Sequence, residues 1–365
     1  MIENESPFRH TVAQSTRLLR PEDMASLAQL LPQLGGPLYS ERFPGKTCYD
    51  FCRWKYFGNP AGDAVVGVAL DGDRVVSVVA GTPKRTQLGS EIVLAFELGD
   101  FITATDCRKR GFFSTLVNLV CDTAREKSAA FVYVRPNEVS FPILASRLSF
   151  VEPKRMDARR YVLLSAAAHR KFGIPSGLIR GLGVDRILRK FALREAPTSV
   201  QVEAITRFDD GASELWARTR DQYAFSLVRD TQYLNWRYVD CPTPYLIWAA
   251  RRQDQLVGYL VAFVSRAQPL GTIVDFFTHP EDEDAAASLL RVAIDAMQQA
   301  GTQVVHAWTL QEGAESASTR LLKRTCMFVA KPELRLAMKF LDEHSDARNL
   351  PSSGWQLTVG DFDGT

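Results

Sequence analysis

The chain has 365 residues, 46% of them apolar and 24% charged, with a formal net charge of +2. This length and balance build more than one hydrophobic core and exclude a disordered chain, and the near-neutral charge excludes nucleic-acid binding through bulk electrostatics. The polar start carrying Glu3, Glu5 and Pro7 predicts no signal peptide, and no run reaches the roughly eighteen apolar residues of a membrane span, so the expected location is cytoplasmic.

In chain order, the first distinctive stretch is Trp54-Lys55-Tyr56-Phe57-Gly58-Asn59-Pro60. Strands are predicted near residues 64–70, 74–81 and 92–103. Arg108-Lys109-Arg110-Gly111-Phe112-Phe113 follows, leading into an amphipathic helix on which Phe113, Leu116, Val117, Val120 and Ala124 recur at three- and four-residue intervals. A turn between a strand and such a helix aims free backbone N–H groups and the positive end of the helix dipole at an anion. Gly111 lets an anion approach the backbone, and Arg108 and Arg110 would add charge-assisted hydrogen bonds of about 1.5–3 kcal/mol each. The plainer reading of this stretch by itself is a solvated basic turn. A buried strand over 129–135, Pro136-Asn137, a short helix ending near Arg147, Phe150 and a strand near 155–164 complete this part of the chain. Residues 178–194 predict a basic amphipathic helix, either a linker docked across two domains or a surface for anionic lipid.

Trp236-Arg237-Tyr238-Val239-Asp240-Cys241-Pro242 then repeats the first distinctive stretch at a spacing of 182 residues, about half the chain. Strands near 245–251, 256–264 and 272–278 follow, then a helix over 284–300 capped by Gly301, a strand over 303–310, a helix over 317–325 and a strand over 333–340. Both copies read β-β-β-α-β-α-β. The prediction is an α/β protein with mixed sheets, built as two tandem domains over residues 1–168 and 199–365 with a linker at 169–198. Where the first copy has its basic turn, the second has Thr278-His279-Pro280-Glu281-Asp282-Glu283-Asp284, whose carboxylates oppose a bound anion. The six cysteines, at 48, 52, 107, 121, 241 and 326, form no Cys-x-x-Cys pair, and the five histidines lack the spacing of a helical metal site. Reduced thiols and no metal are therefore expected.

The order of strand, Arg-x-x-Gly turn, helix, strand, Pro-Asn, helix and terminal aromatic resembles the GNAT N-acetyltransferase superfamily. The segment Trp54 to Gly62 and the C-terminal Trp355-x-Leu-Thr-x-Gly-Asp-x-Asp363 extend the resemblance to the tandem GNAT proteins often found beside bacterial polysaccharide-biosynthesis genes. It implies two GNAT-like domains, with an acyl-coenzyme A, acetyl-coenzyme A first of all, held by the first. The resemblance assigns Arg108, Lys109, Arg110, Gly111, Phe112, Phe113 and Ser114 to the coenzyme pyrophosphate, backbone N–H groups of Phe101, Ile102 or Thr103 to the thioester carbonyl, and Asn137 to the pantetheine arm. It makes Glu97 the general base, with Asp100 as the alternative; an exposed position on the strand's other face and a bulge are the competing readings of the two. The chain departs from the family at Phe113, at Leu148-Ser149-Phe150, and at Leu144 or Ala145, where the family has its general-acid tyrosine; Tyr133 is either a substitute or a packing residue. The two Trp segments are either acceptor-binding aromatics or structural, and the acceptor pocket is expected from loop 38–48 and the interface with the second copy.

The implied reaction is transfer of an acetyl group to an amine of a sugar or another small molecule, by an enzyme with no transmembrane segment and at most peripheral membrane contact. A non-catalytic coenzyme A-binding scaffold and an aminoacyl-tRNA-dependent peptide ligase of paired GNAT-like domains are the alternatives.

Overall fold

A computed structural model describes residues 14–34, 45–162, 199–311, 316–325, 328–341 and 353–363. The predicted helix over 178–194 and most of loop 38–48 lie outside these residues. The first half runs β1 (Gln14–Leu18), α1 (Met24–Leu30), α2 (Cys48–Phe57), β2 (Val65–Asp71), β3 (Arg74–Leu88), β4 (Glu91–Thr103), α3 (Phe112–Glu126), β5 (Phe131–Val134), α4 (Ser140–Arg147) and β6 (Val151–Val162). The second half repeats it as β7 (Gln201–Ala204), α5 (Gly211–Thr219), β8 (Phe225–Leu227), α6 (Thr231–Leu234), β9 (Leu246–Arg252), β10 (Gln255–Val264), β11 (Leu270–Thr278), α7 (Glu283–Gln299), β12 (Val304–Leu310), α8 (Ala317–Thr325) and β13 (Phe328–Phe340). The short strand β14 (Trp355–Gln356) follows. The fold is the expected mixed α/β one, and the seven predicted elements recur in order in both halves.

Local chemistry accounts for the elements that matter most. Thr47 and Asp50 close a capping box, with each backbone N–H bonded to the other's side chain at 2.8 and 3.1 Å, and so start α2, the helix that carries Trp54 and Lys55. Leu116, Val117, Val120, Cys121 and Ala124 form the buried stripe of α3, which packs on β2 and β3. Gly67 and Gly81 face that helix, where a Cβ on Gly81 would stand 2.8 Å from Val120.

The strands join into one sheet in the order β1-β2-β3-β4-β5-β13-β6-β12-β11-β10-β9-β7. At its centre the strands of the two halves interleave. β13, the last long strand of the second half, pairs with β5 of the first (Ala337 opposite Val134), and β6, the last strand of the first half, pairs with β12 of the second (Met156 opposite Leu310). The two exchanged strands pair with each other in the middle of the sheet. Each half is therefore completed by a strand from the other.

Three apolar cores result among the described residues. One lies under α3, one under α7, and a third, between the halves, holds Trp54, Phe131, Tyr133, Trp236, Trp355 and Phe362. The repeated tryptophans meet there. Their rings stack at 4.9 Å, and each indole N–H donates to the other's backbone carbonyl, at 2.8 and 3.3 Å. Such reciprocal bonds relate the halves by an approximate twofold axis and use the one polar atom of each buried indole. The Trp segments are structural in this respect.

Candidate functional site

The basic turn leaves β4 through Thr105–Cys107 and reaches α3 with Lys109 at φ 65° and Gly111 at φ 84°. A left-handed cap position favours glycine, and no side chain bonds the first turn of α3. The first N–H groups of a helix have no partner within it, so those of Phe112, Phe113 and Ser114 point out of the turn's mouth. Arg108 and Arg110 lie beside that mouth, exposed, each tethered by one weak bond to its own loop, at 3.3 Å to the Thr103 carbonyl and 3.2 Å to that of Asp106. Phe113, the bulky departure from the family pattern, packs edge-on against Phe101 at 5.1 Å. A beyond-van-der-Waals space surrounds Gly111 on the Cβ side, so its φ, rather than crowding, is what requires glycine.

Behind the turn the sheet splits. β4 pairs with β5 only at Ala95, Phe96 and Glu97, opposite Phe131, Val132 and Tyr133, yet stays bonded to β3 as far as Thr103. Among the described residues no strand covers the β5 side of β4 beyond Glu97. The register against β3 shifts between Ile102 and Gly99, and Asp100, at φ 55°, is the bulge residue. The Ala104 N–H bonds the Val76 carbonyl on β3, so by strand alternation the backbone of Ile102 also faces β3 while that of Thr103 faces the open edge. Of the three sequence candidates for the thioester, Thr103 is thus presented to the gap, with Phe101 beside the bulge.

Glu97 stands at the inner end of this gap and is buried, 3% exposed. Its side chain points to the core shared by the halves, toward Thr82 Oγ1 at 3.3 Å. Burial first, and then the charge of Asp363, pushes its carboxyl up to about 8, against the opposing pull of Lys55 and Lys84. Asp100 is already engaged: Lys55 Nζ and Tyr56 Oη each donate to it at 2.7 Å. This leaves Glu97 as the carboxyl suited to exchange a proton.

The surrounding charges form a network across the interface. Lys84 Nζ donates to Asp363 at 2.7 and 2.8 Å, Thr82 Oγ1 to Asp363 at 2.7 Å, and Arg237 Nε lies 3.5 Å from the same carboxylate. Arg229 grips Asp361 through Nη2 at 2.8 and 2.9 Å and approaches Asp275 at 3.4 Å, while Tyr238 and Tyr259 donate to Asp275. Among the described residues, Lys55, Lys84, Arg229 and Arg237 thus face Glu97, Asp100, Asp275, Asp361 and Asp363, one carboxyl more than there are cations. The sequence reading named Lys55 and Asp363 only as members of motifs and missed Lys84 altogether.

Tyr133 donates its hydroxyl to the Asp361 carbonyl at 2.9 Å in the shared core, a packing role. Leu144 is buried under α4. Asn137 accepts from the N–H groups of Val139 and Ser140 at 3.0 and 2.8 Å, so its side-chain oxygen serves to open α4.

In the second half both features of the site are filled from within. Asp282 occupies the start of α7, accepting from Ala285 N–H at 2.9 Å and pairing with Arg252 at 3.1 Å. The β11–β12 pairing also stops early, after Thr272 opposite His306. The gap beyond is occupied by residues 355–359: Gln356 Nε2 donates to the Phe276 carbonyl at 3.2 Å and Thr358 Oγ1 to Asp275 at 3.2 Å, leaving a cavity of about 10 Å³.

A family model described as an acetyltransferase (GNAT) domain matches residues 39–144, the stretch that holds the split strands and the basic turn. The chain is a tandem GNAT-fold protein. Solved structures agree on the fold of the whole. A tandem GNAT protein from the clavulanic acid biosynthesis pathway is 13% identical, with 91% of this chain and all of that one covered at a TM-score of 0.57. A GCN5-related N-acetyltransferase from Anabaena variabilis is 12% identical over 90% of this chain and 73% of its own, TM-score 0.60. Saccharomyces cerevisiae N-myristoyltransferase with bound myristoyl-CoA is 10% identical over 98% and 92%, TM-score 0.58. No curated protein sequence matches this chain. No described helix is long and apolar enough to cross a membrane. Among the described residues no cluster of His, Cys, Asp or Glu could hold a metal ion.

Proposed function

We propose that this tandem GNAT protein is an acyl-coenzyme A-dependent N-acyltransferase that moves an acetyl group onto an amine of a sugar or another small molecule, with the coenzyme held by the first half alone. The observation that carries the reading is that the uncapped, basic start of α3 and Glu97, whose carboxyl is buried beside the strand, stand at opposite ends of an edge of β4 that no described strand covers. From Glu97 to Thr103 that edge spans about 20 Å at the rise of a strand, room for an extended pantetheine arm. The pyrophosphate would take the N–H groups of Phe112, Phe113 and Ser114 and the guanidinium groups of Arg108 and Arg110. Thr103 would offer its backbone to the part of the arm nearest the pyrophosphate, with the thioester carried toward the Glu97 end.

With donor and acceptor held together, proximity contributes much of the rate. The amine nitrogen adds to the thioester carbon, its proton passes to ionised Glu97, and the C–S bond breaks to release a thiolate that takes a proton from water. A thiolate of ordinary pKa near about 8.5 is a fair leaving group, so the reaction does not require the missing tyrosine. The second half has its anion position occupied by Asp282 and its strand gap by residues 355–359, which supports a structural role and a share in the walls of the acceptor site. A cytoplasmic location belongs to the same reading.

Titration calorimetry with acetyl-coenzyme A tests the proposal. One micromolar site per chain is expected, abolished by Gly111→Asp, which places a carboxylate and a strained left-handed residue at the turn. Amine screening then uses Glu97→Gln as the inactive control. No binding by the native protein would overturn the acyltransferase reading in favour of a scaffold or a ligase with another donor.

A further inference from the structure

The segment 355–363 does more than fill the second strand gap. After Thr358 it crosses to the first half, where Phe362 packs on Tyr133 at 5.8 Å and Asp363 enters the space between β3 and α2. Asp363 is fully enclosed, and its carboxylate takes hydrogen bonds from Lys84 and Thr82.

The Thr82 hydroxyl has a single proton and two carboxyl neighbours. The 2.7 Å contact to Asp363 takes that proton, and the 3.3 Å contact to Glu97 is then satisfied only when Glu97 is the donor, that is, when it holds its own proton. The excess of one carboxyl over the cations points the same way. The groups facing Glu97 are Lys55 from α2, Lys84 from β3, Asp100 from its own strand, Tyr133 from β5 and Asp363 from the crossing segment, with Arg237 behind Asp363.

We propose that Asp363 is a positioning residue of the acceptor site: by orienting Thr82 and pairing with Lys84 it keeps the carboxyl of Glu97 protonated in the resting protein, so that Glu97 must release that proton before it can accept one from the amine. This rests on the acyltransferase reading for its purpose but not for its measurement. The second half thereby contributes to the chemistry of the first through a side chain some 280 residues distant in sequence.

Infrared difference spectroscopy of the full chain without ligand tests it directly. The carbonyl stretch of a protonated buried carboxyl, assigned to Glu97 by its loss in Glu97→Gln, is expected to titrate near pH 8 in the native protein. In Asp363→Asn the Thr82 hydroxyl is released to donate to ionised Glu97, and a neighbouring negative charge is gone, so the titration moves lower by about one pH unit. Because that variant leaves Lys84 buried without its counter-ion, the paired Lys84→Met, Asp363→Asn variant keeps the interior neutral and tests the same point. It is expected to shift in the same direction by a smaller amount, since Asp363 acts on Glu97 more strongly than Lys84 does. An unmoved titration in both variants, whatever their melting temperatures, assigns Asp363 a purely structural role and overturns the proposal. Failure to bind acetyl-coenzyme A, with the shift present, would instead remove the acyltransferase reading and leave the coupling of Asp363 to Glu97 standing.

Discussion

Glu97 makes its burial measurable apart from any reaction. In the unfolded chain its proton leaves near the ordinary value of 4.5, whereas the folded protein keeps it to about 8. Between those values the folded state binds more protons, so this group's contribution makes stability fall as pH rises. Glu97→Gln removes the dependence. Its melting temperature is expected to gain on the native protein's between about pH 5 and about pH 9; a constant difference between the two proteins would show that Glu97 ionises normally in the fold. Asp363 works in the opposite sense. Lys84, Arg237 and Lys55 outweigh its burial and hold its carboxyl below the ordinary 3.8, so its stabilisation is present above that value and is lost only in acid. The two windows do not overlap.

At the scale of elements, the start of α3 is where ligand affinity is decided. Arg108→Ala and Arg110→Ala are each expected to weaken acetyl-coenzyme A binding by roughly 10- to 100-fold, the equivalent of about 1.5–3 kcal/mol, with the melting temperature unchanged because neither side chain is buried. Unaltered affinity in both would move the pyrophosphate away from this turn. The helix and its turn were legible in the sequence because α3 buries one stripe, so its apolar residues keep a helical period up to the basic turn. Less of the site was readable. A strand's alternation says which face is buried but not which strand lies beside it, so the placement of β13 between β5 and β6 leaves no mark in either segment. Neither Lys55 nor Lys84 could be singled out in the sequence, because a buried ammonium is recognised only by the carboxylate that meets it, and Asp363 comes from another part of the chain. Asp100 had two readings in the sequence, an alternative base and a bulge residue, and only neighbouring strands could choose between them. Its left-handed backbone and its bonds to Lys55 and Tyr56 favour the second, fixing the bulge.

For the whole molecule, the exchanged strands and the Trp54–Trp236 pair predict one cooperative unit. Trp236→Ala is expected to cost about 3–5 kcal/mol and to lower a single unfolding transition, where two independently folding halves would show two. A fragment ending at Val162 lacks β13 and leaves β5 an open edge, so alone it is expected to aggregate or stay unfolded, and to recover a dispersed amide spectrum only when mixed with the complementary fragment. A well-folded monomeric first half would refute this. The exchange also bears on inheritance. A gene that arose by doubling can ordinarily shed a copy that has lost its ligand, but here deletion of the second copy takes a central strand and Asp363 from the first. Loss of the second copy's own turn leaves these contributions in place, while loss of the copy removes them, so the two halves are expected to be inherited as one.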